Sequence, residues 1–173
     1  MKLSSTVGVA LCGAFLFASV AAAQRPVGRA PGTPLDDKVG VAIALQAGGD
    51  PYQFNGQATC THEPRGYIYM LPAQQWRVEQ REGRRSVLLT FWRPATGSGD
   101  MFNLLVTTGG KTHHIDTVKT KNGGDPQGSG DVTFTTAGSG GTFTVKATSV
   151  NGATITGTIR CGGFRAAIAE GGH

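Results

Sequence analysis

The chain is short of most features that mark a catalytic family. It has no GxSxG nucleophile elbow, no HExxH, no P-loop, no EF-hand loop and no CxxC pair. These absences speak in turn against the common serine hydrolases, zincin proteases, Walker-type nucleotide hydrolases, calcium sensors and thioredoxin-like redox proteins. A convergent site needs no motif, so each absence lowers the odds of one class only. Cysteine is scarce, with three in 173 residues, and charged residues make up only 16%. Apolar residues at helical spacing are almost absent. Past residue 20 no apolar run is long enough to span a bilayer, which takes about 20 residues. No repeat at a period of about 20 to 50 residues is visible.

What the chain does have begins with MKLSSTVGVALCGAFLFASVAAAQ. Lys2 supplies a positive start, residues 7–20 an uncharged apolar run, and Ala21, Ala22 and Ala23 a small-residue cleavage site. Residues 1–23 therefore read as a cleaved signal peptide, with Gln24 the mature start. Cys12 sits inside the apolar run behind Leu11, so it reads as part of the leader and not as a lipidated cysteine. Residues 24–38, QRPVGRAPGTPLDDK, hold three prolines and no apolar periodicity, and read as a flexible lead-in. A single β-domain is expected over 39–170, with a tail at 171–173. Removing residues 1–23 leaves 15 Lys and Arg against 11 Asp and Glu, a net charge of +4. The remaining 150 residues suffice for one domain with a sizeable core. Two cysteines remain, Cys60 and Cys161, and an even count in an exported chain argues for a disulfide. A two-cysteine metal or redox site is the rival reading, and it lacks CxxC spacing.

Twenty-seven glycines and short alternating runs point to the all-β class. Val39, Val41, Ile43 and Leu45 share one strand face, with Gly40, Ala42 and Ala44 on the other. A GGDP turn leads to a strand over 52–60, in which Asn55-Gly56 reads as a glycine bulge. Residues 61–66 read as a polar loop, and 67–71 as a short apolar run ended by Pro72. Strands follow at 75–80, 87–92, 101–107 and 111–119. The 87–92 run, VLLTFW, is the most apolar and reads as a central strand buried on both faces. Residues 121–129 read as a loop. The stretch 129–161 closes the chain with three strands, and its Asn151-Gly152 is the strongest hairpin signal present. Residues 164–169 read as a short strand or a turn of helix. Nine or ten short strands at roughly 8–12-residue spacing favour an antiparallel β-sandwich or barrel-like domain.

Candidate chemistry is thin. His113 and His114 point to opposite faces of a strand, so they do not chelate one metal together. His114 and Asp116 share a face; with His62 brought near they would form a metal or base–orienter site. The plainer reading is polar residues on a solvent face. Arg77, Arg81, Arg84, Arg85 and Arg93 fall around one hairpin with Trp76 and Trp92 close by. That grouping suits an anionic ligand surface, although Glu79 and Glu82 interrupt it in the ordinary mixed-charge manner. Asp50, Asp100, Asp116, Asp125 and Asp131 mostly sit beside glycine or proline, as turn residues do. Tyr52, Tyr67, Tyr69, Trp76 and Trp92 would line a ligand surface or, more often, fill a β core and its rim.

N-G-Q-A-T-C at 55–60, G-S-G-D-V-T-F at 128–134, G-G-T-F-T-V-K-A-T at 140–148 and I-T-G-T-I-R-C at 155–161 together resemble the small secreted lipoprotein antigens of mycobacteria. In that family an early and a final cysteine bracket a β domain. The resemblance implies an exported domain with a Cys60–Cys161 bridge, and it implies no catalytic residue. The chain departs from the family in lacking a usable lipobox and the Thr/Ser-rich tether behind it, so lipid anchoring does not carry over. The expectation is an exported, secreted or periplasmic, non-catalytic β-domain of bacterial origin. It would bind an envelope component or anionic ligand, or serve as a surface antigen, without cofactor, nucleic acid or membrane span. A small-ligand carrier with an internal cavity and a secreted hydrolase are the alternatives.

Overall fold

The computed structural model describes residues 38–119 and 124–167. The expected signal peptide, the expected lead-in except Lys38, and the expected 171–173 tail lie outside the described residues. Among the described residues there are ten strands and no helix. A meander runs through β1 (Lys38–Ala47), β2 (Asp50–Ile68), β3 (Leu71–Glu82), β4 (Arg85–Pro94), β5 (Met101–Thr108) and β6 (Lys111–Asp116). A second meander, β7 (Ser129–Ala137), β8 (Gly140–Thr148) and β9 (Thr154–Cys161), returns so that β9 pairs with β1. The sheet order is β6-β5-β4-β3-β2-β1-β9-β8-β7. The short β10 (Arg165–Ala166) lies parallel to β2 beside Thr61 and His62.

This one antiparallel sheet curls into a nearly closed barrel. Asp116, at the end of β6, bridges to Gln127 just before β7. Strands far apart in the sheet meet inside: the rings of Trp76 on β3 and Phe134 on β7 lie 4.9 Å apart. Period-two alternation drives the curl, because each strand sends its larger residues to one side. Val41, Ile43 and Leu45 point inward with Val87, Leu89, Phe91, Phe143 and Ile159, and all are buried. Each such side chain contributes about 1.5–3 kcal/mol of burial. Outward positions carry Arg77, Glu79, Lys146, Thr156, Thr158 and Arg160 in exposed or half-buried settings. An apolar inside and a polar outside reverse the arrangement of a membrane-spanning barrel.

Tight curvature also demands glycine at one mid-strand point. Gly157 pairs with both Leu45 and Val145, at φ 136°. A Cβ there would collide with the carbonyl oxygen of Ala44, so only glycine lets β9 lie this close to β1.

The Cys60–Cys161 disulfide is present, with a Cα–Cα distance of 6.3 Å and a sequence separation of 101. It joins β2 to β9, the two strands on either side of β1. It thereby fastens the second meander to the first near the mouth of the barrel.

Several elements differ from the expectation. Asn55-Gly56 is neither turn nor bulge; β2 passes through it in unbroken register with β1. The expected polar loop at 61–66 is strand. The bulge lies there instead, between Glu63 and Gly66, where Pro64 and Arg65 face one residue of β3. The chain turns at Tyr69-Met70, a two-residue loop carrying no glycine. The 87–92 run is buried on its inner face only, Trp92 being half-buried outside. β6 stops at Asp116 because the Asp116 carboxylate accepts the Val118 N–H at 2.9 Å and ends the strand. The chain then folds Val118 onto a second, outer cluster with Ile68, Ala73 and Met101.

Candidate binding cleft at the barrel mouth

The two ends of the barrel differ. At one end the hydroxyl of Tyr52 donates to Gln80, and the Arg85 guanidinium covers the Tyr52 ring at 4.6 Å. Burial pushes the Tyr52 phenol above its ordinary 10.0, opposed by the charge of Arg85 and reinforced by Glu82. His113 plugs the same end beneath Gly48, 3% exposed, and among the described residues neither ring nitrogen is hydrogen-bonded. This end is shut.

Among the described residues the other end is open. β1 begins opposite Thr59, so the far part of β2 has no β1 partner, and β10 takes that edge at Thr61 and His62. A cleft of about 460 Å³ remains between β2, β3, the end of β7 and the 164–166 segment. His62, Trp76, Phe134 and Phe164 form its floor and wall, with Ser139 and Arg165 at the rim. The aromatic set is continuous. His62 stacks on Trp76 at 4.4 Å with 10° between planes. Phe134 lies edge-on to Phe164 at 5.8 Å, and Phe143 closes the bottom by stacking on Phe134 at 4.6 Å.

Polar groups in the cleft are few and distinct. His62 Nε2 is buried and, among the described residues, has no hydrogen-bond partner. The Ser139 hydroxyl donates to the Gly162 carbonyl oxygen at 3.5 Å and leaves His62 alone. Arg165 is exposed at the rim. Behind the wall, Arg93 lies over the rings of Trp76 and Phe91 at 5.8 and 5.6 Å. Asp100 grips its guanidinium through both carboxylate oxygens, the shortest contact 2.8 Å. That hydrogen bond holds Arg93 protonated still more firmly.

The residues singled out from the sequence end up dispersed. His114 and Asp116 share the outer face of β6, both hydrogen-bonded to Asn103 Nδ2, at 3.2 and 3.1 Å. His62 is on the inner side, stacked on Trp76, so the three do not converge. Among the described residues no three His, Cys, Asp or Glu side chains are placed to hold a metal ion. The five arginines do not make one surface either. Arg77 and Arg81 point outward and share Glu79, each at 3.1 Å. Arg85 and Arg93 point inward on β4, capping opposite ends of the interior. Arg84 is exposed in the β3–β4 turn. Of the aromatics, Trp76 belongs to the cleft and Tyr52 to the closed end. Trp92 donates to Gln75 Oε1 at 2.8 Å on the outside.

Phe134, Ser139, Phe164 and Arg165 were not legible as site residues, because nothing local marks them. One signal was available. A Cys60–Cys161 bridge brings His62, two residues past one cysteine, close to Phe164, three past the other.

Fold and site together define a nearly closed, disulfide-fastened antiparallel β-barrel-like domain with a filled interior and an aromatic cleft at one mouth. Among family models, curated proteins and solved structures, none matches this chain.

Proposed function

We propose that the chain is an exported, non-catalytic binding domain of the bacterial envelope or extracellular space, as the mycobacterial lipoprotein-antigen resemblance suggests. Its ligand enters the mouth cleft. The carrying observation is His62 Nε2, a buried nitrogen without a partner among the described residues, in a wall of aromatic rings. Buried polar groups are nearly always paired, so an unpaired nitrogen on a side chain that lines the cleft calls for a partner. The aromatic wall suits the apolar C–H face of a sugar ring, and Arg165 suits an acidic group on it. A uronic-acid-bearing glycan of the envelope has both features. The filled interior favours this rim site over an enclosed carrier cavity. The turned-away Ser139 favours binding over hydrolysis, since no hydroxyl is set against the imidazole.

Trp76 supplies the assay. In a Trp92→Phe background its emission reports on the cleft. Titration with neutral and uronic-acid oligosaccharides should give a saturable change for the acidic series. His62→Phe keeps the ring stack and removes the nitrogen, and should abolish the change. A flat response across both series would sink the proposal.

A further inference from the structure

The β2–β3 hairpin projects past its neighbours. β4 ends opposite Ala73, and β1 begins opposite Thr59. Its tip carries Tyr67 at 65%, Tyr69 at 56% and Met70 at 85% exposure, three of the four large apolar side chains most exposed among the described residues. Tyr69 and Met70 have φ of 45° and 70°. A two-residue turn of this kind is ordinarily Asn-Gly, and placing Tyr and Met there strains the backbone. The strain is not repaid by packing, because both side chains face solvent. Between Glu63, whose carboxylate lies against Gly66, and Arg77, which is paired with Glu79, the one charged side chain is Arg65. Arg65 is exposed beside Tyr67 at the base of the tip.

We infer that this tip is an interfacial anchor for an anionic lipid surface. Three side chains on a convex knuckle are far too little for a stable protein partner, which covers about 800 Å² on each side. A convex apolar knuckle does suit a soft medium. Tyrosines favour the headgroup layer, and methionine reaches the acyl boundary below it. Arg65 meets the phosphates, and the charge falls on the side of the hairpin where the tyrosine emerges. Pro64 and Gln74 line both the tip's flank and the mouth cleft, so an anchored tip holds the cleft at the lipid surface.

The test uses the full chain and vesicles of phosphatidylcholine with and without phosphatidylglycerol. In a Met70→Trp variant, the difference spectrum against wild-type protein separates the introduced indole from Trp76 and Trp92, and that emission should shift to the blue with the anionic vesicles and be quenched by brominated lipid. The double variant Tyr69→Asn/Met70→Gly installs the turn's preferred residues, so it folds, and its vesicle partitioning should fall at least about tenfold. Arg65→Gln should weaken binding to anionic vesicles and leave binding to neutral ones alone. An unshifted, unquenched emission from the introduced indole, or quenching equal on neutral and anionic vesicles, would overturn the inference. So would tip-dependent capture of a protein without lipid.

Discussion

Replacing Tyr69-Met70 by Asn-Gly should make the protein more stable, although it deletes two large side chains. Both residues sit at positive φ, 45° and 70°. The left-handed region costs an ordinary L-residue about 1–2 kcal/mol, and asparagine and glycine little or nothing. Relief at two positions is therefore about 2–4 kcal/mol. Two losses offset it. The glycine adds unfolded-chain entropy worth about 0.5–1 kcal/mol. Met70 is 85% exposed and Tyr69 56%, so the forfeited burial is no more than about 1 kcal/mol. A net gain of about 1 kcal/mol remains, raising Tm by about 4 °C. Urea unfolding followed by Trp76 and Trp92 emission measures it, and m should be unchanged. A loss of stability would mean instead that contacts hold the Tyr-Met turn.

Three further outcomes follow from named contacts. Reducing the Cys60–Cys161 bridge frees a 101-residue separation and should cost about 4–5 kcal/mol, lowering Tm by about 15 °C in calorimetry; an unchanged Tm would remove the disulfide from the account. Gly157→Ala should cost more than about 3 kcal/mol by forcing β9 off the Ala44 carbonyl, measured as a lower urea midpoint; a near-neutral effect would contradict the close approach. The raised Tyr52 phenol is held protonated by folding, so its contribution is full below its ordinary 10.0 and declines as pH climbs through the higher native value. Urea midpoints at about pH 8 and about pH 11 should diverge less in Tyr52→Phe than in the wild type, and equal divergence would reject the assignment.

Much of the architecture was legible because β alternation is local. Val39 to Leu45, Phe143 to Ala147 and Ile155 to Ile159 each announce their inward face. The glycine turns at 48–49 and 109–110 and the disulfide were equally plain. Barrel rather than sandwich was not legible, because closure depends on β9 finding β1 more than 100 residues away. The β2–β3 turn was hidden for a different reason. It uses Tyr69-Met70 where turn chemistry prefers Asn-Gly, while the real Asn-Gly at 55–56 lies in a regular strand. Local rules fail at both places, and the first failure is also the strained, exposed tip. The cleft was illegible from periodicity, since His62, Phe134 and Phe164 come from three distant segments. Their meeting is a consequence of the Cys60–Cys161 link and of the curl, and neither writes itself into neighbouring residues.

In the function proposed above, ligand binds at the barrel mouth. An amide chemical-shift map during titration with uronic-acid oligosaccharides should show saturable shifts gathered at His62, Gln74, Phe134, Ser139 and Arg165, absent in His62→Phe, with the closed end around Tyr52 and His113 still. Shifts centred on the outer arginines Arg77 and Arg81, or no shift at all, would contradict that function.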